Sequence, residues 1–432
     1  MAAENHTSTA MFAAITISSI LLVPLTWAGL SLINTGLNRS RNAAHSILTS
    51  LSLAALAMLT YFAFGFALQN VGGQTAHVLN VAGKSWDWLG SGPLFLRGFD
   101  LSVSLGPLIF IFQLFTVGIV AIIPVSSGAE RWRLGSSCAS IALLAGFTYP
   151  LFAHWVWGGG WLAQLGANFG LGRGFVDPAG ASCIHTVGGM TALSVAWLLG
   201  SRRGKFTGEG MPTAMPGHNA VVALSGCMLA FVGWLGLNCS GALLFASASP
   251  DQCLLVLINT SLCASAAALS ALVVTRVRFG RPDASLTANG WTCGLVASSA
   301  TSLVVRPAEA VIVGLIAGTI VVFAVEIIEL RMKIDDPAGA IAVHAGGGVW
   351  GILAVGIFGH FSLSGQFLAQ LLGIITLIGF IFPLTYVLNW LLNLVLPLRV
   401  VPEAERQGMD LFELGAGAYP EFVTHRDDFI PR

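Results

Sequence analysis

Residues Asp177–His185 read DPAGASCIH, and residues Asp336–His344 read DPAGAIAVH. The two copies agree at Asp, Pro, Ala, Gly, Ala and His, and each runs on into a glycine-rich helical turn, TVGGM or AGGGV. Such side chains are scarce here. Of 432 residues, 55% are hydrophobic and only 9% charged, whereas soluble domains carry roughly a quarter charged residues. This is the composition of a membrane protein. Formal net charge is zero and the basic residues sit in short clusters, which argues against a nucleic-acid surface and does not favour acidic substrates. The seven cysteines stand singly, without a CxxC pair or metal-ligand spacing, and read as small core residues. Neither a metal nor a cofactor is expected.

A membrane-spanning helix needs about 20 mostly apolar residues. Eleven such runs occur, at roughly 11–34, 47–69, 104–124, 137–157, 180–200, 218–238, 252–275, 287–305, 308–329, 339–359 and 367–396. The fold class is therefore an all-α integral membrane protein with eleven transmembrane helices. The opening MAAENHTSTA lacks the basic region of a signal peptide, so the first run reads as a retained helix. Cytoplasmic loops hold the excess of Lys and Arg. One set of alternate loops, together with the tail, holds sixteen of the twenty basic residues, including Arg39, Arg131, Arg202 and Arg331; Lys84, Arg97, Arg173 and Arg306 lie on the other side. The N-terminus is thus expected outside and the C-terminus in the cytoplasm. The membrane domain covers 1–396, with repeat halves of about 11–200 and 218–359 and a last helix of about 367–396; residues 397–432 form a cytoplasmic tail.

The motifs open spans five and ten, an odd number of crossings apart, so they enter the membrane from opposite faces. That is a five-plus-five inverted repeat, an arrangement that places binding sites at the repeat interface near the midplane. Asp177 and its repeat partner Asp336 suit helix N-caps, with Pro178 and Pro337 in the first turn; a functional role stays open beside the structural one. Eight residues of helix put His185 and His344 about 12 Å in from their own faces of a core about 30 Å thick. They can therefore meet. Ionisable groups at that depth are costly and mark function. Two touching imidazoles can share a proton, since each ring donates at one nitrogen and accepts at the other; the plainer alternative is a neutral pair bonded to helix carbonyls. Gly188, Gly189, Gly346, Gly347 and Gly348 permit close helix approach.

At this point the chain resembles the ammonium transporter family, the Amt/Mep/Rh group, and within it the bacterial Amt-type transporters. The resemblance runs from NTGLNRSRN through GAERWR, HWVWGGGWL, the two Asp-to-His motifs and GWLGLNCSGALL to GMDLFELGAGAYPEF. It implies a homotrimer with one hydrophobic pore per subunit, in the inner cell membrane. His185 and His344 fall on the family's twin histidines, Trp157 on the vestibule tryptophan that holds ammonium by cation–π attraction, and Asp177 on the supporting carboxylate. Trp234 lies on the same pathway. Three positions depart from the pattern. Where the family stacks two phenylalanines as a gate, the second position is Leu237 and the first falls on Thr116, with Phe115 one residue away. The usual vestibule serine is Gly241, preceded by Ser240.

The implied function is transport of ammonium or ammonia, with methylammonium a candidate second substrate: the cation is drawn to the vestibule, loses its proton and passes the histidine pair. Two alternatives remain, a non-conducting ammonium sensor that signals through its tail and an Rh-like channel for a neutral gas. Relatives are capped by PII-type signalling proteins, which makes such a protein a candidate partner for the tail. An enzyme is not expected, because the histidines lack HExxH spacing and neither a GxSxG nor a P-loop appears.

Overall fold

The computed structural model describes residues 2–70 and 77–422. Helix is the form the apolar runs must take, because in hydrocarbon every N–H and C=O has to be satisfied within its own segment. In chain order the long helices are α1 (Ala10–Leu37), α2 (Ser40–Gln69), α3 (Leu105–Gly128), α4 (Leu134–Trp157), α5 (Ala181–Leu199), α6 (Ala220–Phe245), α7 (Gln252–Phe279), α8 (Ala284–Thr301), α9 (Pro307–Arg331), α10 (Ile341–Phe358) and α11 (Gln366–Val395). Ten of them are long and apolar enough to cross a membrane. The exception is α8, at the expected eighth span. From Ala288 onward nearly all of it is buried, so its Ser, Thr and Asn side chains face protein, and its hydropathy is correspondingly low.

Two details depart from the sequence expectation. Between α2 and α3 lies a β-hairpin, β1 (His77–Val81) paired antiparallel with β2 (Lys84–Leu89). Its two-residue turn, Ala82-Gly83, has positive φ at both positions, the form that matches strand twist. The sixth span also continues past residue 238 to Phe245, which adds an aromatic residue to the helix that carries Trp234. Residues 423–432 of the expected tail lie outside the described residues.

Burial is graded across the bundle. The spanning stretch of α5 is 83% buried and that of α1 only 22%, so the histidine helix is central and α1 peripheral. Both motif helices open with a widened π-turn, Ala181–Thr186 and Ile341–Gly346, a rare local form that recurs at functional sites. The two turns are in contact. A Cβ on Gly189 would run into the Ala345 backbone, so glycine there sets how closely the helices approach.

The tail folds back under the bundle. Its short helix Pro402–Gln407 leads to a turn, Asp410–Leu414. There Asp410 accepts hydrogen bonds from the Ala44 and His45 N–H groups at 3.1 and 2.7 Å.

Candidate functional site

His185 and His344 are buried and meet Nδ1 to Nδ1 at 3.3 Å, with their rings 5.3 Å apart and tilted 22°. Two ring nitrogens facing each other can bond only if one carries hydrogen and the other a lone pair, so the contact fixes opposite roles on the two Nδ1 atoms. His185 Nε2 is buried without a hydrogen-bond partner. On its other side His185 stacks on Trp234, centroids 4.8 Å apart and 14° from parallel, and the Trp234 indole donates to Ser299 Oγ at 3.0 Å. The pair is thus held edge to edge by its helices and braced by an indole that is itself anchored.

At the start of α5 the Asp177 carboxylate accepts from the N–H groups of Gly180, Ala181, Ser182 and Cys183 at 2.8–3.2 Å, and from the Ser182 hydroxyl. These are the free donors of a helix N-terminus, and Asp177 satisfies them. Its backbone carbonyl takes the Trp157 indole N–H at 2.8 Å. Carboxylate, helix start and tryptophan therefore form one rigid unit.

The face of Trp157 is not open. Phe245 stacks on it at 4.4 Å and 12°, and Phe112 meets both rings edge-on at 6.4 and 5.6 Å. The residues anticipated at the gate are packed as follows. Phe115 turns towards α1, packing edge-on against Trp27 at 5.6 Å while its carbonyl takes the Trp27 indole N–H. Thr116 is buried, its hydroxyl 3.1 Å from both Gln113 Oε1 and the Tyr149 hydroxyl. Leu237 is fully buried one turn beyond Trp234. The Ser240 hydroxyl bends back to the Gly236 carbonyl at 2.6 Å. At Gly241 a Cβ would fall 2.7 Å from the Pro178 carbonyl oxygen and from Ala179 Cα; the loss of a side chain there goes with close packing of α6 on the α5 motif. Phe112 and Phe245 were not singled out in the sequence. Phe245 stands one helical turn past Gly241 and two past Leu237, so the i, i+4 stripe was the signal available.

In the segment leading into α10 Asp336 accepts from the Ser127 hydroxyl and the Ile341 N–H, each at 2.7 Å. Beside it lies a buried ion cluster. Arg202 bonds Asp335 through Nε and Nη2 at 2.9 and 3.0 Å and Glu130 through Nη1 at 2.8 Å, and Arg131 reaches the Asp335 carboxylate at 3.8 Å. Burial works against ionisation of Asp335, but the two guanidiniums outweigh it and hold the carboxyl down to about 2. Burial pulls Arg131 down to about 10. Among the described residues no group of three or more His, Cys, Asp or Glu is placed to hold a metal ion.

A bundle of long apolar helices with a histidine pair buried at its centre defines a multi-pass membrane protein. Residues 13–419 match the Ammonium Transporter Family. The chain is 35% identical to ammonium transporter Amt2 of Archaeoglobus fulgidus, over 93% of its own length and 86% of the relative's. It is 30% identical to the ammonium transporter of Bacillus subtilis, over 93% and 96%. Among solved structures it resembles a sensor Amt protein, with a TM-score of 0.86 at 31% identity over 95% of this chain and 99% of that one. Candida albicans Mep2 shares the fold, with a TM-score of 0.77 at 24% identity over 98% and 93%. The chain belongs to the ammonium transporter family.

Proposed function

We propose that this protein moves ammonium across the inner cell membrane through a pore centred on His185 and His344, crossing as ammonia after the cation gives up its proton. The carrying observation is the 3.3 Å contact between the two Nδ1 atoms. A bare cation in an apolar pore costs several kcal/mol or more, whereas ammonia is neutral and the paired rings can pass or hold a proton. The chemistry itself then rejects potassium, which has no proton to lose. In this reading α8 is the eighth of eleven crossings, α1–α5 and α6–α10 are inverted halves, residues 1–396 form the membrane domain, the N-terminus lies outside and residues 397–432 lie in the cytoplasm. Trp157 and Asp177 form the outer recruitment unit, and Trp234, Leu237, Thr116, Ser240 and Gly241 line the route or support it. The working assembly is a homotrimer, with the tail as the docking surface for a PII-type regulator. Solute transfer, not catalysis, is the activity.

A second reading is a sensor that binds ammonium without conducting it. The Phe245 ring laid over Trp157 favours it, as does the likeness to a protein described as a sensor Amt. One experiment separates the two. Purified protein in liposomes is pulsed with ammonium on a supported-membrane electrode, and methylammonium uptake is measured in parallel. Transport gives sustained flux that His185→Ala and His344→Ala each abolish. A brief binding current without flux or luminal pH change means a sensor, and flux unaltered in both variants defeats the histidine mechanism.

A further inference from the structure

The seven cysteines all carry free thiols, but Cys239 and Cys253 differ from the rest in where they stand. Cys239 lies less than two turns before the end of α6 at Phe245, and Cys253 is the second residue of α7. Their side chains interact directly, and the Cys239 thiol donates to the Cys253 carbonyl at 3.8 Å. Both belong to a small apolar cluster with Ala242, Leu243, Ala248 and Val256, separate from the main core. The two alanines let the backbones approach closely, as a bridge between short side chains requires.

Access decides what such a contact can do, because thiol exchange needs a sulfur that an oxidant can reach. Cys253 follows directly on the exposed residues Asp251 and Gln252, in a connection that also exposes Ser247 and Ser249. Ser247 holds a left-handed backbone with φ 54°, uncommon for a residue with a side chain. Short exposed connections are among the first parts of a fold to open locally. The other neighbouring pair, Cys263 and Cys293, is fully buried midway along α7 and α8, and the Cys263 thiol is spent on the Gly294 carbonyl at 3.2 Å. By the orientation proposed above, the connection from α6 to α7 faces the outside of the cell, where thiols are not kept reduced.

We propose that Cys239 and Cys253 are a redox staple, a thiol pair that a disulfide oxidant on the outer face closes to a bridge between α6 and α7. Cys253, as thiolate, attacks the oxidant's S–S bond and expels one half of it as a thiolate. Cys239, as thiolate, then attacks Cys253 Sγ in the mixed disulfide; the protein S–S bond forms and the second half of the oxidant leaves. The two cysteine protons end on the two expelled sulfurs, so the oxidant is reduced to two thiols. The bridge joins positions 14 apart in the chain. Phe245 lies between them, so the closed staple pins the end of α6 that is stacked on Trp157. The pair itself rests on the thiol contact; only its exposure to an oxidant outside the cell rests on the proposed orientation.

The full chain, purified and reduced, is treated with glutathione disulfide, and free thiols are counted after unfolding. Five of the seven thiols are expected to remain, and peptide mass spectrometry should find Cys239 joined to Cys253 with the loss of two hydrogens. Cys239→Ala should prevent the cross-link and leave glutathione on Cys253. Oxidation should raise the thermal midpoint of the parent, because a bridge restricts the unfolded chain, and should not raise that of Cys239→Ala. Seven free thiols after oxidation, or glutathione retained on Cys253 of the parent without closure, overturns the bridge. A cross-linked chain with an unchanged midpoint overturns its role as a staple. Chains trapped from intact cells by acid and alkylation with both thiols free, yet closed by glutathione disulfide once purified, overturn the exposure to an oxidant outside and leave the bridge standing. None of these readouts uses ammonium flux, so the staple and the transport reading stand or fall separately.

Discussion

In the proposed route the indole of Trp157 recruits the cation, and Phe245 occupies one of its faces at 4.4 Å. An aromatic ring over an indole contributes about 0.5–1.5 kcal/mol beyond the area it buries, and a cation over the same face is worth about 0.5–2 kcal/mol. The two compete for one surface. Phe245→Ala is therefore expected to lower the half-saturating methylammonium concentration about 3- to 10-fold, the equivalent of about 0.6–1.4 kcal/mol. Phe245 is only half-buried, so the bundle should tolerate the loss. Concentration-dependent uptake by the variant checks this, and an unchanged half-saturation in a folded protein would mean that the cation does not use the face Phe245 covers. Gly241, on the same helix as Phe245, acts differently. Its missing side chain reflects the 2.7 Å approach to Pro178 and Ala179, so Gly241→Ser should perturb packing before it restores any hydroxyl.

At the scale of elements, the tail and α2 depend on one another. The first N–H groups of a helix have no partner within it, and at the start of the Ala43–Thr60 stretch of α2 the partners come from Asp410, more than 300 residues away in sequence. His45 Nε2 meets Glu413 at 2.8 Å, and the Arg41 guanidinium donates to the Glu405 and Arg406 carbonyls. Loss of a capping oxygen costs about 1 kcal/mol. Asp410→Ala is thus expected to speed tryptic cleavage after Arg406 about 5-fold, the factor that 1 kcal/mol of local opening gives; equal cleavage rates would show that the latch does not hold the tail. Sequence could not have revealed that cap, because its two halves share no local pattern. The long helices were legible because run length alone signals a span. The histidines were legible because a repeat doubled the signal. The hairpin was not, since HVLNV and KSWDWL sit among loop residues and are each too short to stand out. Phe112 and Phe245 were hidden for the opposite reason: an aromatic in an apolar helix is indistinguishable from core until the fold shows which face it lies on.

At the scale of the whole molecule, the chain concentrates its buried charge at one end. Glu130, Arg131, Arg202 and Asp335 come from the segment after α3, the loop after α5 and the loop before α10, so this cluster ties together segments far apart in the chain. Burial alone would raise the Glu130 carboxyl, yet Arg202 and Arg39 hold it below its ordinary value. Asp335 is held down to about 2. A carboxyl whose folded value is depressed contributes stability that is fully present above its unfolded value of about 3.9 and is lost as pH falls through the folded value. For Asp335, whose side chain is fully buried, that is about 2–3 kcal/mol at neutral pH. The thermal midpoint of the detergent-solubilised protein should accordingly hold above pH 5 and fall between about pH 4 and pH 2. Asp335→Asn leaves Arg131 and Arg202 short of a buried partner, a change that costs about 3–5 kcal/mol. The variant should melt well below the parent at pH 7 and approach it towards pH 2, where the parent's carboxyl also loses its charge. A gap between the two that stays constant from pH 7 to pH 2 would show that the substitution acts through packing and not through charge. A converging pair of curves would show that the charge on Asp335, and not its volume, holds these loops together.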